Sequence, residues 1–175
     1  MPAPTFRLAD PVRDRAAVVA LNVEYMTWVA DGIARDFGVQ VIDVVGMPVA
    51  AYVERVVDKV CGDAPPRGAF HLVEVEGHLA AMGGLRRVRE GVAEIKRVYV
   101  RPGFRGQRLG EAIVTHLVDE ARAFGYAHLV LDTAPFMHSA HRIYEAAGFT
   151  DRGPYPEVEV PPEFHASWRF MERAL

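Results

Sequence analysis

The sequence has little that would point to a secreted, membrane or nucleic-acid-binding protein. Cys61 is the single cysteine among 175 residues, so no disulfide can form within the chain. No stretch approaches the roughly 18 apolar residues of a membrane-spanning helix, and the first residues lack the basic and apolar regions of a secretory signal. A formal net charge of −3 gives no general attraction for nucleic acid. We therefore expect a cytoplasmic protein with no membrane or nucleic-acid partner.

Half of the residues are apolar, which is enough to build one core without disulfides or metals. No internal repeat or low-complexity segment divides the chain, and the proline- and glycine-containing segment 62–68 is interpreted as a connecting loop. We therefore expect a single domain over residues 1–175.

Apolar periodicity predicts an alternation of helices and strands. A helix is expected to follow Asp10 and Pro11, which suit the N-cap and first helical position, and to end at Gly32. Segment 36–46 suits either a strand or a helix. Glu76-Gly77 and Glu90-Gly91 predict tight turns that join three strands into an antiparallel meander. The predicted strands are Thr5–Leu8, Ala69–Glu74, Leu79–Val88, Val92–Val100, His128–Leu131, Phe149–Gly153 and Ser167–Leu175. The other predicted helices are Pro48–Val60, Ser139–Ala147, and one between them that Gly125 closes and whose apolar face is Leu109, Ile113, Leu117 and Ala121.

The most informative segment runs from Glu94 to Gly110, where a predicted strand enters a glycine-containing turn that opens directly into a helix. In such a turn, successive backbone amides point the same way at the positive end of the helix dipole, so a pyrophosphate can bind there. The turn lacks the Gly-Lys-Ser/Thr of a P-loop and the Gly-x-Gly-x-x-Gly of a dinucleotide fold. It therefore predicts a site for a different phosphate-containing ligand.

This segment resembles the phosphate loop of the Gcn5-related N-acetyltransferase superfamily, which reads Gln/Arg-x-x-Gly-x-Gly/Ala. Arg105 and Gly110 match its first and last positions, and Arg108 stands where the family usually has glycine. Residues 137–149 resemble the family's second signature, Asn-x-x-Ala-x-x-Leu-Tyr-x-x-x-Gly-Phe, with Met137 in the place of the asparagine. The resemblance is strong over residues 69–150 and rests on element order elsewhere.

The resemblance implies an α+β fold, an α/β/α sandwich with a mixed, mostly antiparallel sheet of six to seven strands and about four helices. It also implies an enzyme that uses acetyl-coenzyme A (acetyl-CoA) as acyl donor, and a homodimer as one arrangement of subunits. Three residues near a strand bulge would bind the acetyl and pantetheine groups through their backbone, and the loop would hold the pyrophosphate. These coenzyme-binding residues are Val98, Tyr99, Val100, Arg105, Gly106, Gln107, Arg108, Leu109, Gly110 and Glu111.

Two side chains are candidates for the proton transfers that acyl transfer to an amine requires. The resemblance implies that Glu94 deprotonates the amine, directly or through water, and that Tyr144 protonates the departing thiolate; a phenol with a pKa of about 10 suits this leaving group. Each has an alternative interpretation. Glu94 could be a solvent-facing residue paired with Lys96 or Arg97, and Tyr144 could be a core aromatic.

Other candidate residues are less specific. His138 and His141 are three positions apart on a predicted helix, but no cysteine or acidic pair joins them, so we expect no metal site. Tyr25, Trp28 and Tyr52 could line an acceptor pocket or belong to the core. We expect Cys61 to be a packing residue.

The acceptor is the least determined part of the interpretation. Acidic residues near the expected acceptor site would attract a cationic small amine, although surface solvation explains them equally well. These are Asp31, Asp36, Asp43, Glu157, Glu159 and Glu163. The alternatives are a protein N-terminal or lysine acetyltransferase and a non-catalytic, acyl-CoA-binding regulatory module.

Overall fold

A computed structural model describes residues 3–175 and contains seven strands and five α-helices. In chain order they are β1 Thr5–Leu8, α1 Arg15–Phe37, α2 Val41–Val45, α3 Val49–Cys61, β2 Ala69–Val75, β3 His78–Arg89, β4 Val92–Val100, α4 Leu109–Ala123, β5 His128–Thr133, α5 His138–Ala146, β6 Thr150–Arg152 and β7 Arg169–Ala174. Single 3₁₀ turns lie at Pro102–Phe104 and Pro162–Phe164. None of the helices in residues 3–175 is long and apolar enough to cross a bilayer.

The seven strands form one sheet in the order β1-β2-β3-β4-β5-β7-β6. All neighbouring strands are antiparallel except β4 and β5, which run parallel. The predicted meander of three strands is confirmed. Its first turn places both Glu76 and Gly77 at positive φ, 51° and 76°, as a type I′ hairpin turn requires.

Helices cover both faces of the sheet, which confirms the predicted α/β/α sandwich. On one face, α4 packs through Ile113 and Leu117 against inward-facing strand residues such as Ile95. On the other face, α1 and α3 pack through Leu21 and Val57 against their own set of strand residues. Because successive side chains of a strand point to opposite faces, β2 supplies Val73 to the first core and Leu72 to the second.

Both ends of α1 differ from the prediction. The Asp10 carboxylate accepts hydrogen bonds from the N–H groups of Val12 and Arg13 within a preceding turn, and the helix begins only at Arg15. Gly32 lies inside the helix, where its missing side chain makes room for the Phe136 ring. A β-carbon at this position would lie 2.5 Å from that ring. The helix ends instead at Gly38, which has a φ of 67°.

Segment 36–46 contains the end of α1 and the short helix α2, so its helical interpretation is the one observed. The remaining predicted elements occur within two residues of their expected ends. Boundaries of this kind vary by one or two residues because helix and strand ends fray.

Candidate active site

Strands β4 and β5 separate at the centre of the sheet, which leaves an opening between them. Their parallel pairing extends only from Val92 to Glu94 on β4. Three residues further along, β4 contains a bulge: two residues, Arg97 and Val98, lie opposite Gly83 of β3, and Arg97 has a φ of 58°. A bulge bends a strand and increases its twist, so β4 leaves β5 just before the loop that leads to α4.

The loop between β4 and α4 presents a row of free backbone amides. Gly106 has a φ of 79°, Arg108 has a φ of 59°, and the first helical hydrogen bond of α4 runs from the N–H of Ala112 to the carbonyl of Arg108. Within residues 3–175, no backbone carbonyl accepts a hydrogen bond from the six N–H groups of residues 106–111. Free amides at the positive end of a helix dipole form an anion-binding site.

Side chains of the loop are used for its attachment and packing. Arg101 forms an ion pair with Glu24 of α1 at 2.6 Å, and Arg105 donates a hydrogen bond to the carbonyl of Val100 at 3.2 Å. A β-carbon on Gly110 would lie 2.8 Å from Cδ1 of Ile143, so a larger residue would have to displace α5 side chains. The exposed guanidinium of Arg108 pairs with Glu111 at 2.6 Å. The loop therefore exposes its main chain while its side chains hold it in place.

A cavity of about 240 Å³ adjoins the opening between β4 and β5. Its walls are mainly apolar and come from α1, α2, α3, α5 and the segment before β7. Tyr25, Trp28 and Tyr52 are among the lining residues, so the pocket interpretation of these three aromatics is the one observed. Its polar lining residues are Lys96, Arg97, Asp132, Thr133, Tyr144 and Glu159.

Tyr144 lines this cavity from α5 and is only 7% exposed. Its ring packs edge-on against Phe149, with ring centroids 5.9 Å apart. Burial raises the pKa of the Tyr144 phenol well above its usual value, with smaller contributions from Tyr25 and Asp132. The phenol is therefore protonated at neutral pH.

Glu94 lies beneath the cavity and is fully buried, so the solvent-facing alternative is wrong. Its Oε2 accepts a hydrogen bond from Nη2 of Arg86 at 2.6 Å, and its Oε1 accepts one from the Tyr155 hydroxyl. Lys96 Nζ is 3.5 Å from the same Oε1. Glu94 does not itself line the cavity, and Lys96 connects it to the lining.

Lys96 is the centre of a buried ionic cluster at the cavity wall. In addition to Glu94, it has Glu159 Oε2 at 3.4 Å and Asp132 Oδ2 at 3.7 Å. Burial by itself would lower the pKa of Lys96, but the attraction of these carboxylates outweighs it and raises the pKa. For Glu159, burial favours the neutral form, whereas Lys96 and Arg86 lower its pKa to about 2. Both groups are therefore charged at neutral pH.

The acidic residues expected at the acceptor site do not surround this cavity. Of the six, only Glu159 lines it, and Glu159 is neutralised by cations. Asp36 pairs with Arg35 at 2.6 Å, and Glu157 pairs with Arg89 at 2.6 Å. The acidic mouth expected from the sequence is therefore not formed at this cavity.

Two further residues singled out in the sequence, Cys61 and Met137, pack within the fold. Cys61 is half-buried against the core between α1 and α3, and burial raises the pKa of its thiol to about 12, which favours the neutral packing residue that was expected. Met137 is buried at the start of α5, where Thr133 donates a hydrogen bond to its sulfur at 3.6 Å. An apolar thioether therefore takes the place of the amide that the family signature usually has.

The profile of the Acetyltransferase (GNAT) family matches residues 47–149. The chain belongs to the GNAT acetyltransferase family. An IAA acetyltransferase from Azospirillum brasilense is 30% identical over 134 residues, which cover 67% of this chain and 85% of that protein. An uncharacterized N-acetyltransferase from Schizosaccharomyces pombe is 35% identical over 100 residues, which cover 55% of this chain and 61% of that protein.

Solved structures confirm the acyl-CoA N-acyltransferase fold. An acetyltransferase from Streptococcus agalactiae superposes with a TM-score of 0.69 at 17% identity and covers 98% of both chains. The PaiA N-acetyltransferase from Thermoplasma acidophilum, solved in complex with coenzyme A, gives a TM-score of 0.69 at 14% identity and covers 99% of both chains. The family and the fold expected from the two sequence signatures are therefore confirmed.

Several residues of the candidate site were not predicted from the sequence. Arg86, Tyr155 and Asp132 hold the buried cluster, and Arg97 faces the cavity because of the bulge. One signal was present in the sequence: Glu94, Lys96 and Arg97 place three charges within the otherwise apolar segment 92–100. Charged residues in a central strand are rarely buried unless they are paired or functional.

Proposed function

We propose that this GNAT protein transfers the acetyl group of acetyl-CoA to a primary amine by direct attack. The row of free amides at residues 106–111 is the observation that carries the proposal. Two linked phosphates bring the negative charge and acceptor oxygens that such amides bind. The Thermoplasma protein of the same fold was solved with coenzyme A, which supports the same ligand here.

The opening between β4 and β5 would receive the thioester. The amine nitrogen attacks the thioester carbonyl carbon, a C–N bond forms, and the C–S bond breaks. Backbone N–H groups near the bulge, at Val98, Tyr99 and Val100, are proposed to polarise the carbonyl oxygen in the tetrahedral intermediate. The nitrogen loses one proton, and the departing sulfur gains one.

Tyr144 is proposed to donate the proton that the sulfur gains. Its phenol lines the cavity and is protonated at neutral pH, because burial raises its pKa. A buried phenol donates to a thiolate at the moment when the C–S bond breaks, since this relieves the negative charge in a place from which water is largely excluded.

Glu94 is proposed as the general base, acting at a distance. Because its carboxylate is fully buried and bound by Arg86 and Tyr155, a proton from the amine would reach it through water or through Lys96, which lines the cavity. Glu94→Gln should lower the rate at neutral pH and recover part of it at high pH, where more amine is already unprotonated.

Glu159→Gln is the matched comparison, because Glu159 lines the cavity directly but has its pKa lowered to about 2, which makes it a weak base. We expect Glu159→Gln to retain the wild-type pH profile. A recovery at high pH in Glu159→Gln, with a wild-type profile in Glu94→Gln, would assign the base to Glu159.

Two measurements test the whole proposal. Calorimetry should detect binding of coenzyme A to the purified protein, and thiol release from acetyl-CoA should accelerate when amines are added. A protein that does not bind coenzyme A contradicts the proposed pyrophosphate site. Binding of coenzyme A without amine-dependent thiol release would indicate a non-catalytic, acyl-CoA-binding regulatory module.

A further inference from the structure

Arg97 lines the cavity beside β4 because of the bulge in that strand. In a regular strand, Lys96 and Arg97 would point to opposite faces of the sheet. The positive φ of 58° at Arg97 interrupts this alternation. Both side chains line the same cavity as a result, and the Arg97 guanidinium carbon lies 5.5 Å from the centroid of the Tyr25 ring on α1.

The two cations of the cavity differ in their partners. Lys96 has three carboxylates within 4 Å, as described above. Arg97 forms no ion pair in residues 3–175, and its Nε is buried without a hydrogen-bond partner. A buried, unpaired donor is costly unless a ligand satisfies it. Arg97 thus gives the cavity one guanidinium that no carboxylate of the described residues pairs with.

The rest of the lining limits what such a ligand can be. A guanidinium presents two parallel N–H groups that match a carboxylate. Apolar side chains such as Val29, Ile33, Val44 and Trp168 form the walls. The volume of about 240 Å³ is below the range of about 300–1,000 Å³ that is usual for drug-sized ligands. The ligand is therefore small, mainly apolar, and anionic at one point.

We propose that the amine acceptor is an amino acid with an apolar side chain, whose carboxylate binds Arg97. This inference rests on the proposed acetyl transfer and names its substrate class. The amino acid's carboxylate neutralises Arg97, its side chain contacts the apolar walls, and its amine faces the thioester near Tyr144, which lines the same cavity. The product is an N-acetyl amino acid.

The test compares amino acids with the amines that lack only the carboxylate. Thiol release from acetyl-CoA is measured with leucine against isoamylamine, with phenylalanine against phenethylamine, with the other standard amino acids, and with spermidine. We expect kcat/KM for the preferred apolar amino acid to exceed that of its decarboxylated partner by at least about 30-fold, because only the amino acid satisfies the guanidinium.

Substitution of Arg97 tests whether this side chain causes the preference for the amino acid over its decarboxylated amine. Arg97→Gln should lower kcat/KM for the amino acid by about 30-fold or more, mainly through KM, and should change kcat/KM for the decarboxylated amine by less than about threefold. Arg97→Lys should recover part of the loss, since it keeps the charge but not the planar fork. The affinity for coenzyme A, measured by calorimetry, should stay the same in both variants.

The outcomes separate this inference from the proposed function. A protein that binds no coenzyme A and acetylates no amine contradicts the proposed function itself. Acetylation that favours spermidine or the decarboxylated amines overturns the amino-acid inference alone, as does an equal loss for both partners in Arg97→Gln. If Arg97→Gln does not fold, the wild-type comparison of each amino acid with its decarboxylated amine decides whether the acceptor is an amino acid.

Discussion

Replacing Tyr144 by phenylalanine tests the proposed proton donor with the smallest change the chain allows. The substitution removes one hydroxyl from the cavity lining and keeps the ring that packs against Phe149. Coenzyme binding is proposed to rest on backbone amides of residues 106–111, which the substitution does not touch. The chemical step should therefore be affected without a change in affinity for the donor.

The expected size follows from the role. A positioned general acid contributes about 10²–10⁴-fold to a rate. Because the buried phenol has a raised pKa and is a weak acid, we expect the lower end, a loss of about 100-fold in kcat, or about 2.7 kcal/mol at 1.36 kcal/mol for each tenfold. The free energy of unfolding should change by less than about 1 kcal/mol, since no apolar contact is removed.

The assay is thiol release at saturating acetyl-CoA and amine, with the dissociation constant of coenzyme A measured in parallel. Tyr126→Phe is the matched control, because it removes a hydroxyl that donates to the carbonyl of Arg67 outside the cavity. The control should lose some stability and keep its turnover. Wild-type turnover in Tyr144→Phe would refute the assignment, and a large loss of coenzyme affinity would show that the hydroxyl binds rather than donates.

Two further predictions concern the structures that hold the site. Arg86→Met leaves Glu94 buried without its arginine and should lower the free energy of unfolding by about 3–5 kcal/mol. Arg89→Met removes an arginine that is 41% exposed in its pair with Glu157, so it should lower the free energy of unfolding by less than about 1 kcal/mol. Equal urea midpoints for the two variants would argue against the buried pair. Arg108 has a left-handed backbone with a φ of 59°, so Arg108→Val should be less stable than Arg108→Gly by about 1–2 kcal/mol, and thermal or urea unfolding that ranks them the other way would contradict this conformation.

The loop and the element order were predictable because they depend on neighbours in the chain. A glycine-containing turn followed by a helix leaves its first amides free whatever packs nearby. The hairpin turn at Glu76 and Gly77 likewise follows from which residues tolerate positive φ. The misplaced end of α1 illustrates the limit: Gly32 resembles a helix terminator, but it is required for contact with Phe136, which lies 104 positions further along the chain.

The sequence by itself determined the family, the fold and the position of the loop that we propose to bind the pyrophosphate, because their signals are local and stand in a fixed order. Only the tertiary structure decided that Glu94 is buried against Arg86 and Tyr155, and that Arg97 shares a cavity with Lys96. The physical reason is that burial and charge pairing depend on residues far apart in the chain. In addition, a single bulge reverses the side to which a strand residue points, and the regular alternation of a strand does not reveal it.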